Sequence, residues 1–109
     1  MALGVIPHVD LPQSVAIGET VVLKTSITHP MESGLRKDSN GKVIPRSIIN
    51  RFSCDFNDQP VIDVKMEAAI AQNPYFEFTA VVHESGTFTF RWYDDDGDIY
   101  VETKDIAVV

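Results

Sequence analysis

Cysteine, long apolar runs and basic residues are all scarce in this chain of 109 residues. Its single thiol, Cys54, cannot form a disulfide within the chain, so the fold depends on an apolar core, for which 44% hydrophobic residues is ample. No apolar run approaches the roughly 20 residues that a helix needs to cross a bilayer. Nine basic residues stand against sixteen acidic ones, and the resulting charge of −7 argues against binding to nucleic acid or to an anionic membrane.

The patterns that usually mark catalytic or metal sites are missing as well. His8, His29 and His83 stand far apart, and no His-x-His or Cys/His spacing would bring three or four metal ligands together. There is neither a Gly-x-Ser-x-Gly nucleophile motif nor a glycine-rich loop that would cradle a phosphate. The residues therefore give no positive evidence for an enzyme and single out no catalytic residue, no cofactor and no metal; two of the sixteen acids could still converge for acid/base chemistry, but no pair stands out. Each histidine is more simply read as a loop or edge residue.

Cys54 and the acidic run at residues 94–98 both have structural interpretations. Phe52 and Phe56 flank Cys54 at two-residue spacing, so strand alternation predicts a buried, inert thiol with a raised pKa. The run DDDGD suggests calcium, but placing Gly97 at the sixth position of a calcium loop puts Trp92 at the first, where an acid is needed. We predict a solvated hairpin turn there instead.

Alternation of apolar and polar residues predicts an all-β fold. Six or seven strands follow one another at intervals of about a dozen residues, with turn residues between them and no convincing amphipathic helix. This pattern is typical of an Ig-like antiparallel β-sandwich of about seven strands. Pro7, Pro12 and Gly18 interrupt the beginning of the chain, so we predict an N-terminal extended segment at 1–18, lying along a sheet edge, and a single β-sandwich domain at 19–109.

One long segment, from His29 to Arg46, keeps neither a strand rhythm nor a helix rhythm. Its strongest turn signal is Asn40-Gly41, which predicts a short hairpin with residues 35–37 opposite residues 42–44. Compact domains seldom retain so long an irregular loop unless it binds something. We therefore place the expected function in this loop.

Several motifs in and after this loop closely resemble those of the SoxZ family. They are HPMESG at 29–34, KD at 37–38 with Gly41, IPR at 44–46, residues 49–54, NPYFEF at 73–78 and the turn at 94–97. Their combination and spacing are specific, whereas none of them would be specific alone. Asn57-Asp58 stands where the family pattern suggests a glycine-containing turn, and both residues tolerate turn geometry.

The resemblance implies a non-catalytic, Ig-like subunit of the SoxYZ sulfur-carrier complex of bacterial thiosulfate oxidation. In that family the partner, SoxY, carries sulfur intermediates on a cysteine-bearing C-terminal arm, and other Sox enzymes visit the complex transiently. The sequence ends IAVV with no cysteine, so it resembles the partner that does not carry sulfur. Self-association without SoxY is left open.

The resemblance also changes the expected location. Residues 1–18 lack a positively charged n-region and contain two prolines, so on their own they do not predict a signal peptide and favour the cytoplasm. Members of the family are thought to be exported together with a SoxY partner that holds the signal. The expected compartment is therefore the periplasm.

Six residues are the predicted partner-binding set. The loop residues follow from the position of the loop, and the tyrosines from the preference of that side chain for interfaces, although ordinary surface tyrosines explain them equally well. Two other readings stay open: a small metal-binding or enzymatic β-sandwich domain using His29, and a stand-alone adhesion-like module. The predicted set is His29, Met31, Arg36, Arg46, Tyr93 and Tyr100.

Overall fold

The computed structural model describes residues 5–30, 32, 34–66 and 74–109, and these residues confirm the predicted all-β sandwich. No helix in this part of the chain is long and apolar enough to cross a membrane. The eight strands are β1 (Ile6–Asp10), β2 (Ser14–Val15), β3 (Thr20–Thr28), β4 (Ile49–Phe56), β5 (Gln59–Lys65), β6 (Tyr75–Val81), β7 (Gly86–Asp94) and β8 (Ile99–Val108).

The strands form two sheets that face each other. One has three strands in the order β1-β3-β6, and the other has five in the order β2-β8-β7-β4-β5. Neighbouring strands run antiparallel, except that β2 and β8 pair in parallel. Eight strands compare with the six or seven predicted, and two of them, β1 and β2, lie in the segment that was predicted only as extended.

Aromatic side chains fill the space between the sheets. Phe88, Phe90 and Trp92 alternate along β7 and are fully buried, as their period of two predicts. Phe52 on β4 stacks on Phe76 of the opposite sheet, with ring centroids 5.1 Å apart. Burying such rings is the main source of stability in a fold with no disulfide.

Cys54 lies fully inside this core, as predicted. Burial disfavours its thiolate, and the neighbouring charge of Asp55 adds to the effect, so together they raise the pKa of the thiol to about 12. A thiol with that pKa stays protonated and unreactive at neutral pH.

The described part of the predicted N-terminal segment is extended and belongs to both sheets. β1 pairs with β3 at the edge of the smaller sheet, and β2 pairs with the end of β8 at the edge of the larger one. Val5 and Val15 are buried in the shared core. β1 and β2 therefore lie at sheet edges, and the described residues from 5 onward contribute to the same two sheets.

The turns follow their sequences closely. Asn57 and Asp58 connect β4 to β5 with φ angles of 48° and 67°, the left-handed geometry of a tight hairpin turn that Asn and Asp tolerate. The prediction that both residues tolerate this turn geometry is confirmed. Residues 69–74, predicted as a helical turn or a crossover, lie outside the described residues except for Pro74, as does the predicted end of the preceding strand at Ala68.

Candidate partner-binding site

The long loop is ordered by the short hairpin that its sequence predicts. Lys37 and Val43 form an antiparallel bridge, and the backbone N–H of Ile44 donates to the carbonyl of Arg36. The turn is stabilised by Asp38, whose Oδ1 accepts the backbone N–H groups of Asn40 (2.9 Å) and Lys42 (3.0 Å). We call residues 35–46 the basic hairpin.

Two connections fix the base of the basic hairpin to the sandwich. Glu32 and Ser47 form a backbone bridge that closes the loop. Arg46 donates from Nε and Nη2 to the two carboxylate oxygens of Asp95, at 2.8 and 2.9 Å. This bidentate pair links the loop to the turn between β7 and β8, which lies 49 residues further along the chain.

Asp95 collects donors from three residues. Asn50 Nδ2 donates at 2.9 Å and the backbone N–H of Ile48 at 3.2 Å, in addition to the two bonds from Arg46. Burial alone would raise the pKa of this carboxyl, but the hydrogen bonds and the charge of Arg46 outweigh it and hold the pKa below its ordinary value. Asp95 is therefore a charged anchor for the loop.

Beneath this anchor, a second cluster is almost completely buried. His29 Nε2 lies 3.6 Å from Asp94 Oδ2, and the same oxygen accepts the hydroxyl of Tyr100 at 2.7 Å. The other oxygen of Asp94 accepts the backbone N–H groups of Asp96 (2.9 Å) and Asp98 (3.0 Å), which shapes the turn. The rings of His29 and Tyr100 meet edge to face at 6.2 Å.

Tyr100, which the sequence suggested as an interface or surface tyrosine, is buried instead. It is 4% exposed. Residues opposite each other on neighbouring strands point to the same side of the sheet, so Tyr100 faces the side that buries Trp92, where its hydroxyl donates to the buried carboxylate of Asp94. A direct contact between Tyr100 and a partner is therefore not available at this surface.

His29 lies in the loop just after β3, as the reading of the histidines as loop or edge residues implies, but it is buried. The residue is 3% exposed, because the alternation of β3 that buries Leu23, Thr25 and Ile27 continues one step beyond the strand. Among the described residues its Nδ1 has no hydrogen-bond partner. His29 therefore packs beneath the loop, beside Asp94, and does not form part of its exposed surface.

The acidic run is a hairpin turn as predicted, but it is not uniformly solvated. Asp94 is 4% exposed, because it continues the buried face of β7 beyond Trp92. Alternation from Phe88 through Trp92 was the sequence signal that could have identified it. Only Asp96 to Asp98 are exposed to solvent, and Ser47 Oγ donates to Asp96 at 3.2 Å.

Tyr93 lies on the outer face of the larger sheet, where it is half-buried. The guanidinium of Arg51 sits 4.7 Å from the centre of its ring, and its hydroxyl lies 3.3 Å from Ser53 Oγ. Arg51 also pairs with Asp63, which lowers the pKa of that carboxyl. Directly opposite Tyr93 on β8 is Ile99, which is 52% exposed, so this face combines polar and apolar side chains.

The remaining predicted residues lie in or beside the loop. Arg36 pairs with Glu32, and this hydrogen bond lowers the pKa of the glutamate. Met31 lies outside the described residues. The fold thus brings His29, Arg46 and Tyr100 together around residues 94 and 95, while Arg36 and Tyr93 stand apart from them. Within the described ranges, no group of three or more His, Cys, Asp or Glu residues is arranged to hold a metal ion.

Comparison with protein-family models identifies the family of this chain. The family model described as "Sulphur oxidation protein SoxZ" matches residues 9–105, which is nearly the whole chain. This chain belongs to the SoxZ family. It is therefore a sulfur-oxidation protein, and the resemblance seen in its motifs is confirmed. Among the curated proteins, none matches the chain.

Solved structures similar to this SoxZ-family chain share its fold. The sulfur carrier protein SoxY from Chlorobium limicola f thiosulfatophilum superposes with a TM-score of 0.67 at 10% identity, covering 99% of this chain and 81% of that one. A superoxide reductase (neelaredoxin) from Ignicoccus hospitalis gives 0.71 at 17% identity, covering 94% and 80%. A putative superoxide reductase from Thermotoga maritima gives 0.69 at 14%, covering 94% and 85%. At such identities the likeness concerns the sandwich alone.

Proposed function

We propose that this chain is a non-catalytic subunit that binds a SoxY-type carrier and presents its cysteine-bearing arm to other enzymes of sulfur oxidation. The observation that carries the proposal is the SoxZ family match over residues 9–105. The structure adds support, because residues 35–43 of the loop are exposed while its base is fixed by the pair of Arg46 and Asp95. A loop held in this way can meet a partner with little loss of conformational entropy.

The direct test is complex formation with the SoxY-type protein of the same organism. Size-exclusion chromatography with light scattering should show a stable heterodimer in an equimolar mixture, and an acidic β-sandwich of similar size should form none. If the mixture elutes as separate components, the proposal fails. The same measurement on this chain alone shows whether an uncovered interface leads to self-association.

The location follows from the same proposal. If the SoxY-type partner carries the export signal, this chain reaches the periplasm only in its company. Cell fractionation should recover the chain in the periplasm when the partner is intact and in the cytoplasm when the partner's signal is deleted. Recovery from the periplasm without that signal would contradict joint export.

The alternative metal-binding or enzymatic domain using His29 stays a prediction with less support. In the described part of the chain a single acid, Asp94, lies beside the imidazole, and its oxygens already accept the hydroxyl of Tyr100 and two backbone N–H groups. Metal analysis of the purified protein separates the two proposals, since a tightly held stoichiometric metal would favour the alternative.

A further inference from the structure

The charges of this protein are strongly segregated. The basic hairpin contains Arg36, Lys37, Lys42 and Arg46 but only one acid, Asp38, so its formal charge is +3. The whole chain has a charge of −7, which leaves −10 for the remainder. Nearly half of the nine basic residues therefore lie in twelve consecutive positions of an acidic protein.

The basic hairpin is also unusually open to its surroundings. Every residue from Leu35 to Val43 is exposed, with Leu35 at 86% and Val43 at 55%. Nevertheless the hairpin is ordered, because its own backbone hydrogen bonds and the two bonds to Asp38 hold its shape. Such an ordered element brings exposed charges and two exposed aliphatic side chains together on one surface, which a partner can cover without first ordering the loop.

The positive charges divide into two pairs with different roles. The arginines at the base are neutralised, Arg36 by Glu32 and Arg46 by Asp95. Lys37 and Lys42, nearer the turn, form no salt bridge with any described residue. Their charges are therefore available to a partner.

The register separates these two lysines. Lys37 bridges Val43, and Leu35 precedes Lys37 by two positions, so these three share one face of the hairpin. Lys42 follows the opposite alternation and shares the other face with Asp38. Lysines on opposite faces do not converge on one small anion, whereas they can both lie along an extended acidic surface. The rest of the chain carries −10, and this charge repels long polyanions and anionic membranes, because they extend beyond the hairpin.

We propose that the basic hairpin is the element through which this chain is steered onto its SoxY-type partner, and that the partner surface it meets is acidic. The lysines guide the encounter, and Leu35 and Val43 then contact the partner. This inference rests on the proposed function and adds to it the location and the charge of one contact. Complementary charges of this kind act mainly on the association rate.

The experiment compares two charge-reversal variants of equal net charge. K37E/K42E alters the basic hairpin, and K24E/K104E alters two exposed lysines on β3 and β8 outside it, so each variant carries −11 where the unmodified chain carries −7. Stopped-flow association with the SoxY-type protein should be about tenfold slower for K37E/K42E at about 20 mM salt, and the control should remain within about threefold of the unmodified chain. At about 500 mM salt the difference should largely disappear.

A third variant, L35S/V43S, tests the apolar contact. Its association rate should be unchanged, while the complex should dissociate faster, because the aliphatic contacts form only after the encounter. Circular dichroism on every variant shows whether the sandwich is intact. The salt dependence of the association rate of the unmodified chain tests electrostatic steering without any substitution.

The failures are distinguishable. If the unmodified chain does not bind the SoxY-type protein, the proposed function itself fails. If it binds and both charge variants associate equally fast, or are slowed equally, the steering role of the basic hairpin is wrong. A further outcome is that K37E/K42E associates with the SoxY-type protein as fast as the unmodified chain does, but no longer binds phosphatidylserine vesicles that the unmodified chain binds. The hairpin then faces a lipid surface, and the inference is overturned.

Discussion

Asp94 and Asp95 are neighbours in the sequence, yet they have different structural roles. Asp94 points inward, accepts the hydroxyl of Tyr100 and two backbone N–H groups, and shapes the β7–β8 turn. Asp95 points the other way and accepts both donors of the Arg46 fork. One strand step therefore separates a residue that builds the turn from one that attaches the long loop to it.

The Arg46–Asp95 pair should make stability depend on pH. Arg46→Met keeps much of the aliphatic stem but removes the guanidinium, and we expect unfolding free energy to fall by about 1–2 kcal/mol at neutral pH, a value moderated by the half-exposed arginine. Because the folded-state pKa of Asp95 is below its ordinary 3.8, its contribution is complete well above that value and is lost as pH falls through the folded pKa. Urea unfolding at several pH values measures the difference.

The matched control is Arg36→Met, which removes an arginine of the same loop whose pair with Glu32 is exposed. Exposed ion pairs contribute little to stability, so this variant should unfold almost like the unmodified chain. Equal effects of the two substitutions, or an Arg46→Met difference that does not shrink in acid, would contradict the anchoring role of Asp95.

At the scale of strands and turns, the period of two was a reliable guide within each strand. It predicted the buried faces of β3, β4, β6 and β7 and the burial of Cys54, because one face of each strand must meet the opposite sheet. It also contained the signals for His29, one step past the end of β3, and for Asp94, the last residue of β7. Both positions were misread because the long loop was predicted to begin at His29 and the acidic turn at Asp94.

Tyr100 and the Arg46–Asp95 pair needed more than a local pattern. The face of Tyr100 depends on the register between β7 and β8, which is fixed by the turn between them and is not visible in the alternation of either strand. The Arg46–Asp95 pair joins residues 49 positions apart, so it exists only after the sandwich has formed. The loop could be located from the sequence, but its attachment could not.

A contact between two turns offers a test at this scale. Asn57 Oδ1 accepts the N–H of Thr87 at 2.9 Å, and a Cβ added to Gly86 would lie 2.2–2.5 Å from atoms of the Asn57 amide. Gly86→Ala should therefore displace that amide and lower the free energy of unfolding by about 1–2 kcal/mol. Chemical denaturation measures the change.

The background variant Asn57→Gly supplies the control, because glycine keeps the left-handed backbone at this position and removes the obstructing amide. In that background Gly86→Ala should cost clearly less, so the two substitutions should not be additive. Additive effects would show that the amide is not what limits the space at Gly86.

At the scale of the whole molecule, the two sheets and the beginning of the chain form one packed body. Val9 on β1 packs against the core that contains Trp92, although the two residues belong to different sheets. The intrinsic fluorescence of Trp92, the single tryptophan, therefore reports on the unfolding of all these elements together.

Val9→Ala should lower the midpoint of the Trp92 unfolding transition, with a loss of about 1 kcal/mol for a partly buried methyl pair. His8→Ala, on the exposed side of the same strand, should leave the midpoint unchanged. An unchanged midpoint for Val9→Ala would mean that β1 unfolds separately from the rest of the sandwich.

The parallel pairing of β2 with β8 has a mechanical consequence. The backbone N–H groups of Ala107 and Val109 donate to the carbonyls of Gln13 and Val15, so a tension applied between residues 13 and 109 pulls the two strands past each other along their length. Bonds loaded in this direction must break together, whereas an antiparallel hairpin pulled apart at its open end would lose its bonds one at a time. The short strand β2 thus works as a shear clamp between the first and last parts of the sandwich.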